Sequence, residues 1–284
     1  MFKKILITGA NGFIAKNIKE ILGKKYNFIS VSRNTKYNIL DLNSLLNIDE
    51  IDTVIHCAAK TFVPDSFLNQ HEFFRFNFLS TLNVSEFCIK KNVNKIIFLN
   101  AYPYGVPIKL PVDENHHLQP HSPYNSSKLI SEELLFKYLI EKTNVVSLRV
   151  FNIYGKHQKE NFLIPTIINQ AKINGEISLN DLRPKRDFLY VKDLVSLIEK
   201  IIIKKPVSGI YNVGFGKSFS IKQISTAVSS IFNRKIKLKS KKIIRPNEIL
   251  DLFADISKVS STFNWRPKYS INEGINDYLR NEKL

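Results

Sequence analysis

Apolar and polar positions along this chain follow two alternating periods. Short apolar runs at 3–8, 27–32, 52–57, 94–100 and 144–150 read as strands, and stretches of helical spacing lie between them. After the first run, Phe13, Ile14, Ile18, Ile21 and Leu22 share one side of a helix that Gly23 is placed to stop. Longer helices are expected near 71–91 and 123–142. Strands alternating with helices form βα units, so the pattern predicts an α/β fold around a parallel, doubly wound sheet. From about residue 156 the regularity loosens into shorter elements, punctuated by Pro165, Pro184, Pro206, Pro246 and Pro267. The expected division is a first domain over 1–155, with a returning segment near 187–213, and a smaller second domain over 156–186 and 214–284. Within the second, Arg234–Lys242 alternates lysine with apolar residues and reads as a strand with one solvated face.

The 284 residues are 44% hydrophobic, enough for a large core. No apolar run reaches membrane-spanning length, and the first strand starts almost at the initiator without a cleavage-site pattern, so neither a membrane segment nor a signal peptide is expected. Cys57 falls in a strand pattern and Cys88 in a helix, which suggests reduced thiols and a cytoplasmic location rather than a disulfide framework. The net charge of +17 calls for an anionic partner. No nucleic-acid recognition motif accompanies it, and a doubly negative cofactor with a phosphate-bearing substrate accounts for the sign. His116 and His117 are adjacent in a polar loop without zinc-site spacing; they read as solvated, and no metal is expected.

Two motifs carry the chemistry. ITGANGFIA at 7–15 puts Gly9, Gly12 and Ala15 between a strand and a helix, where the glycines allow a tight turn and close approach of a pyrophosphate to the helix N-terminus. SPYNSSK at 122–128 spaces Tyr124 and Lys128 one helical turn apart, a phenol with an ammonium on the same face. Taken singly, the first also fits a glycine turn with no ligand and the second a tyrosine packed on the sheet. The second strand ends in Ser32 and Arg33 where a carboxylate would select NAD, so the expected cofactor is NADPH, with NAD the alternative; Asp41 and Leu42 lie where the adenine would be lined.

These motifs resemble the extended short-chain dehydrogenase/reductase family, in its nucleotide-sugar epimerase, dehydratase and ketoreductase branch. The resemblance covers nearly the whole chain through TGANGFIA, VIHCAA at 54–59, Asn77 with Ser80-Thr81, YNSSK, LRVFNIYG at 148–155, RDFLYVKDL at 186–194, GIYNVG at 209–214, RPNE at 245–248 and ADISK at 254–258. It implies a Rossmann-type dinucleotide-binding domain and a smaller C-terminal α/β substrate-binding domain. It implies Tyr124 as catalytic acid/base and Lys128 as the residue that lowers the phenol's pKa from ~10 while holding the nicotinamide ribose. Asn11, Phe13, Ile14, Ala58, Ala59, Lys60 and Asn77 join the cofactor set. Tyr102, Asn152, Arg186 and Arg245 fall to the substrate; arginines suit its diphosphate, and Arg186 could instead pair with Asp187.

The chain departs from the family where Asn100 stands at the position of the usual serine or threonine. An amide can orient a substrate oxygen but cannot relay a proton as a hydroxyl does. The reading is an NADPH-dependent 4-ketoreductase of a nucleotide-linked 4-keto-6-deoxy sugar; a 4-epimerase, or a catalytically impaired member of the same fold, are the alternatives. The two long helices carry apolar residues beyond one sheet-facing stripe (Phe73, Phe74, Phe78, Phe87, Leu135, Phe136 and Leu139), and the resemblance, in which these helices pair across a two-fold axis, implies a homodimer through them; the alternative is packing under loops of the same subunit.

Overall fold

The computed structural model describes residues 4–139, 141–205, 207–233, 235–244 and 248–281. The chain opens with β1 (Lys4–Thr8), α1 (Phe13–Leu22), β2 (Asn27–Val31), α2 (Leu42–Leu46) and β3 (Thr53–His56). Then come α3 (Val63–Leu68), α4 (Gln70–Lys90), β4 (Lys95–Ala101), α5 (Pro123–Tyr138) and β5 (Asn144–Val150). β6 (Asn152–Tyr154), α6 (Leu163–Asn174), β7 (Glu176–Leu179), β8 (Lys185–Tyr190), α7 (Val191–Ile203) and β9 (Gly209–Val213) follow. The last part contributes β10 (Ser218–Ser220), α8 (Ile221–Ile231), β11 (Lys237–Ser240), β12 (Asp251–Leu252), α9 (Ser257–Phe263) and α10 (Ile271–Asn281).

Two compact units result. The first holds the chain up to Gly105, Glu114–Val150 and Val195–Asn212; the second holds Val106–Asp113, Phe151–Leu194 and the chain from Val213 onward. The expected returning segment is therefore shorter at its start. Residues 187–190 belong to β8, which pairs with β6, β10 and β12 rather than with the first unit's strands. Residues 106–113 also leave the first unit, because Val112 bridges to Ala254.

The first unit is built on a six-stranded sheet in the order β2-β1-β3-β4-β5-β9, a Rossmann-like arrangement whose β1–β2, β1–β3, β3–β4 and β4–β5 pairs are all parallel. Ile5–Ile7, Val54–Ile55, Ile96–Phe98 and Val145–Val146 are all buried, as strands covered on both faces require. Chain order reverses direction around β1, with β2 on one side and β3 on the other. The carboxyl ends of those strands are where such sheets bind ligands. Lys95, buried at the start of β4, donates to the carbonyls of Ile202 and Lys204 at 3.3 and 2.9 Å and so satisfies the end of α7.

In the second unit β11 pairs in parallel with β7, Lys237 and Lys239 exposed and Leu238 and Ser240 turned in, the one-sided strand its alternation predicts. On α4 and α5 part of the apolar excess is used within the chain. Phe73, Phe87, Leu135 and Leu139 are buried within the chain, because α4 packs on α2 and α5 as well as on the sheet; Phe74, Phe78 and Phe136 are half-buried.

Candidate active site

The turn after β1 is shaped by side chains beneath it. Thr8 Oγ1 accepts from the Ala58 N–H at 3.1 Å and shares a 2.7 Å hydrogen bond with His56 Nδ1, joining the ends of β1 and β3. His56 Nε2 reaches Thr81 of α4 at 3.1 Å. Burial, with the Lys128 charge adding to it, pushes His56 well below the usual histidine range, so the ring is neutral.

Against this support Gly9 takes φ +64, and a Cβ there would meet Ala58 Cα and N at 2.8 Å. Only glycine fits. The Gly12 N–H closes the turn on Gly9 O at 2.8 Å, and buried Ala15 lets α1 lie close to the sheet. Gly12 is the N-cap of α1 without a side-chain cap, and the first turn carries no acidic residue. A helix start of this kind, with N–H groups that no side chain caps, suits an anion. Asn11 Nδ2 donates to Ser32 Oγ at 3.0 Å, which fixes the glycine turn against the end of β2. Arg33 beside it is exposed and has no ion-pair partner among the described residues. Phe13 and Ile14 open α1, both half-buried.

Four residues expected at the cofactor, Asn77, Lys60, Asp41 and Leu42, also build the local structure. Asn77 is buried; its Oδ1 accepts from the Lys60 N–H at 2.8 Å, and its Nδ2 donates to Lys60 O and to Ser127 Oγ at 3.2 and 2.9 Å. It ties the segment after β3 to α5, and its hydrogen-bonding groups are engaged there. Lys60 Nζ pairs with Glu72 at 3.2 Å. Asp41 caps α2 through the Asn43 N–H at 3.0 Å, and Leu42 begins that helix. Ala58 lies against the Gly9 turn, as described above, and Ala59 follows it half-buried.

Tyr124 sits in the first turn of α5, which Ser122 caps through the Asn125 N–H at 3.1 Å. Its ring lies edge-on to Phe73, with centroids 6.4 Å apart. Burial raises the phenol well above its ordinary value, and Tyr102 adds to the rise. The expected lowering by Lys128 does not arise from the protein's own groups. One turn on, Lys128 is 2% exposed, with Nζ 3.8 Å from the centroid of the Phe98 ring and no hydrogen-bond partner among the described residues. Burial pushes it down to about 7, against the opposing pull of Cys57 and Glu132. A buried ammonium without a hydrogen bond, beside a glycine cradle that a Cβ would fill, fits a dinucleotide whose ribose hydroxyls supply acceptors.

Asn100 corrects a further expectation. It is 4% exposed, its Nδ2 donates to Glu132 Oε2 at 2.8 Å, and its Oδ1 accepts from the Ala101 N–H at 2.8 Å. The side chain turns inward because Glu132 is a buried carboxylate that gathers donors. Ser147 Oγ reaches it at 2.5 Å, and Arg149 pairs with it through Nη2 at 2.7 Å. Arg149 Nη1 donates to Tyr104 Oη at 3.0 Å, and Tyr104 donates to Asn212 at 2.5 Å. The sequence held a signal for this network: Glu132 follows Lys128 by one turn, and Ser147 and Arg149, two residues apart on one strand face, interrupt a largely apolar strand. His116, read as solvated, is buried with its ring edge-on to Tyr104 at 6.0 Å.

In the second unit, Arg186 and Asp187 do not pair. Successive residues of a strand point to opposite faces. Arg186 Nη2 meets Glu248 at 2.5 Å, while buried Asp187 accepts from the N–H groups of Phe215, Gly216 and Ala254 at 2.6, 3.0 and 3.2 Å. Burial pushes the Asp187 carboxyl up to about 6, against those three N–H donors. Asn152 Nδ2 donates to Asp187 O at 3.0 Å, which makes it a brace of β6 on β8. Arg245 lies outside the described residues. Among the described residues no cluster suited to a metal ion and no helix long and apolar enough to cross a membrane is found.

The sequence profile of the NAD dependent epimerase/dehydratase family matches residues 5–214. The chain belongs to that family and to the nucleotide-sugar-modifying enzymes within it. It is 30% identical to a putative UDP-glucose 4-epimerase of Methanocaldococcus jannaschii over 95% of each chain. It is 29% identical to the GDP-6-deoxy-D-talose 4-dehydrogenase of Aggregatibacter actinomycetemcomitans over 90% of each. Its fold matches that of RMD from Pseudomonas aeruginosa complexed with NADPH at a TM-score of 0.90 and 23% identity, covering 99% of this chain and 100% of the other.

Proposed function

We propose that this protein is an NADPH-dependent reductase that converts a nucleotide-linked 4-keto-6-deoxy sugar to its alcohol. The observation that carries the cofactor choice is the end of β2, where Ser32 replaces a carboxylate and the unpaired, exposed Arg33 stands ready for a 2′-phosphate. The reductase reading is supported by the likeness to a 4-dehydrogenase of a nucleotide-linked 6-deoxy sugar.

A bound reduced nicotinamide supplies the hydride. The Gly9–Gly12 turn and the open N-terminus of α1 hold the pyrophosphate, and Lys128 holds the ribose. Tyr124 keeps its proton at neutral pH because burial raises its pKa, and delivers it to the oxygen that gains charge at C4. Proton delivery suits reduction. Arg186, with N–H groups beyond those taken by Glu248 and Lys185 O, serves the diphosphate.

Consumption of NADPH with a panel of nucleotide-linked 4-keto sugars tests this reading, and no turnover across the panel overturns it. Arg33→Ala is expected to weaken NADPH by one to two orders of magnitude, as loss of a charge-assisted hydrogen bond of ~1.5–3 kcal/mol requires, with NADH unaffected. Equal weakening of both cofactors would remove Arg33 from the 2′-phosphate. Arg186→Ala is expected to raise the dissociation constant of the nucleoside diphosphate about tenfold or more, with NADPH binding unchanged, as calorimetry reads it. A second reading, a 4-epimerase, is favoured by the likeness to the archaeal epimerase. It requires interconversion of 4-epimers without net consumption of NADPH.

A further inference from the structure

One N–H of the Asn100 amide is spent on Glu132, and a phenol stands two residues further along the chain. Asn100 is held inward by Glu132 and the Ala101 N–H. The chain then leaves β4, and the Tyr102 carbonyl accepts from Asn125 Nδ2 at 3.1 Å. Asn125 adjoins Tyr124 and is itself fixed by the cap of α5, since its N–H and Oδ1 both meet Ser122 Oγ. Tyr102 is therefore clamped by its backbone to the turn that carries the proton donor. Its half-buried phenol is the group whose charge acts on the Tyr124 phenol.

We propose that Tyr102 is a catalytic residue, its phenol O–H donating a hydrogen bond to the same substrate oxygen that Tyr124 protonates, in place of the side chain at position 100. The proposal rests on the reductase reading. In the step, the carbonyl π bond breaks as hydride from the reduced nicotinamide bonds to carbon, and its electron pair passes to oxygen. The Tyr124 O–H bond breaks and its proton ends on that oxygen, while Tyr102 retains its own proton throughout. Two phenols thus converge on one oxygen, one as acid and one as fixed donor, the arrangement by which a preorganised site stabilises developing negative charge.

The test uses Tyr102→Phe, which keeps the ring and removes one oxygen. Reduction of the 4-keto sugar by NADPH is expected to slow by roughly 10²–10³-fold, the usual loss when one such donor is removed, with the NADPH dissociation constant and the melting midpoint unchanged. A binding measurement accompanies it. With NADP⁺ present, the wild type should bind a nucleotide-linked 6-deoxyhexose more tightly than its 4-deoxy counterpart, and Tyr102→Phe should reduce that preference about three- to tenfold, the share of one neutral hydrogen bond, with the Tyr124 share remaining. A rate within threefold of wild type overturns the proposal and leaves the reductase reading standing. A slowed variant whose preference for the 4-hydroxyl is undiminished overturns it too, since Tyr102 would then act without touching the oxygen. A wild type that reduces no member of the panel overturns the reductase reading, and the proposal with it.

Discussion

Tyr124→Phe is expected to lower turnover by roughly 10²–10⁴-fold, the range a positioned general acid contributes, and to leave dinucleotide affinity unchanged. On the proposed reading the two effects separate, because the phenol oxygen would take part in chemistry whereas the dinucleotide would be held by parts the substitution does not touch. Those parts are the Gly9 turn braced on Ala58, the uncapped N-terminus of α1 and the buried ammonium of Lys128. The Tyr124 ring keeps its edge-on contact with Phe73, and Ser122 continues to cap α5, so the fold has no reason to change. NADPH titration by fluorescence and steady-state rates on the same preparation check both halves. Loss of cofactor binding in step with activity would make Tyr124 a structural or cofactor contact; retention of activity would move the acid elsewhere.

Local chemistry was legible in the sequence, and partners distant in the chain were not. The turn at Gly9 and Gly12, the parallel strands buried on both faces and the one-turn spacing of Tyr124 and Lys128 each depend on residues near one another in sequence. The functions of Asn77, Lys60 and Asn100 depend on groups brought to them by other elements: Ser127 and the Lys60 backbone, Glu72, and Glu132. A motif identifies a position in a family but not which way its side chain turns. Arg186 and Asp187 show the reverse case, where strand alternation already placed the two on opposite faces and sent Arg186 to Glu248, 62 residues away in sequence. Part of the apolar surplus on α4 and α5 is used within the chain, because a helix packed on a sheet and on two other helices needs more than one stripe.

Glu132→Ala is expected to destabilise the fold by about 3–5 kcal/mol, because it leaves the Arg149 guanidinium charged, buried and without its counter-ion. Both side chains are almost wholly enclosed, at 2% exposed for Glu132 and 3% for Arg149, so water cannot take over the lost role. Asn100 and Ser147 lose an acceptor at the same time, and each buried donor left unsatisfied adds to the cost. At roughly 2 °C per kcal/mol for a chain of this size, the melting midpoint should fall by about 6–10 °C. Replacing both partners, as in Glu132→Met with Arg149→Leu, should recover much of that loss, since the penalty lies in an unpaired charge rather than in the absence of an ion pair. Urea denaturation of Glu132→Met, Arg149→Leu and the double variant gives the coupling directly. A single-variant loss below about 1 kcal/mol, the range of a solvent-screened surface pair, would show that water reaches Arg149 and that the carboxylate does not hold the end of β4 in place.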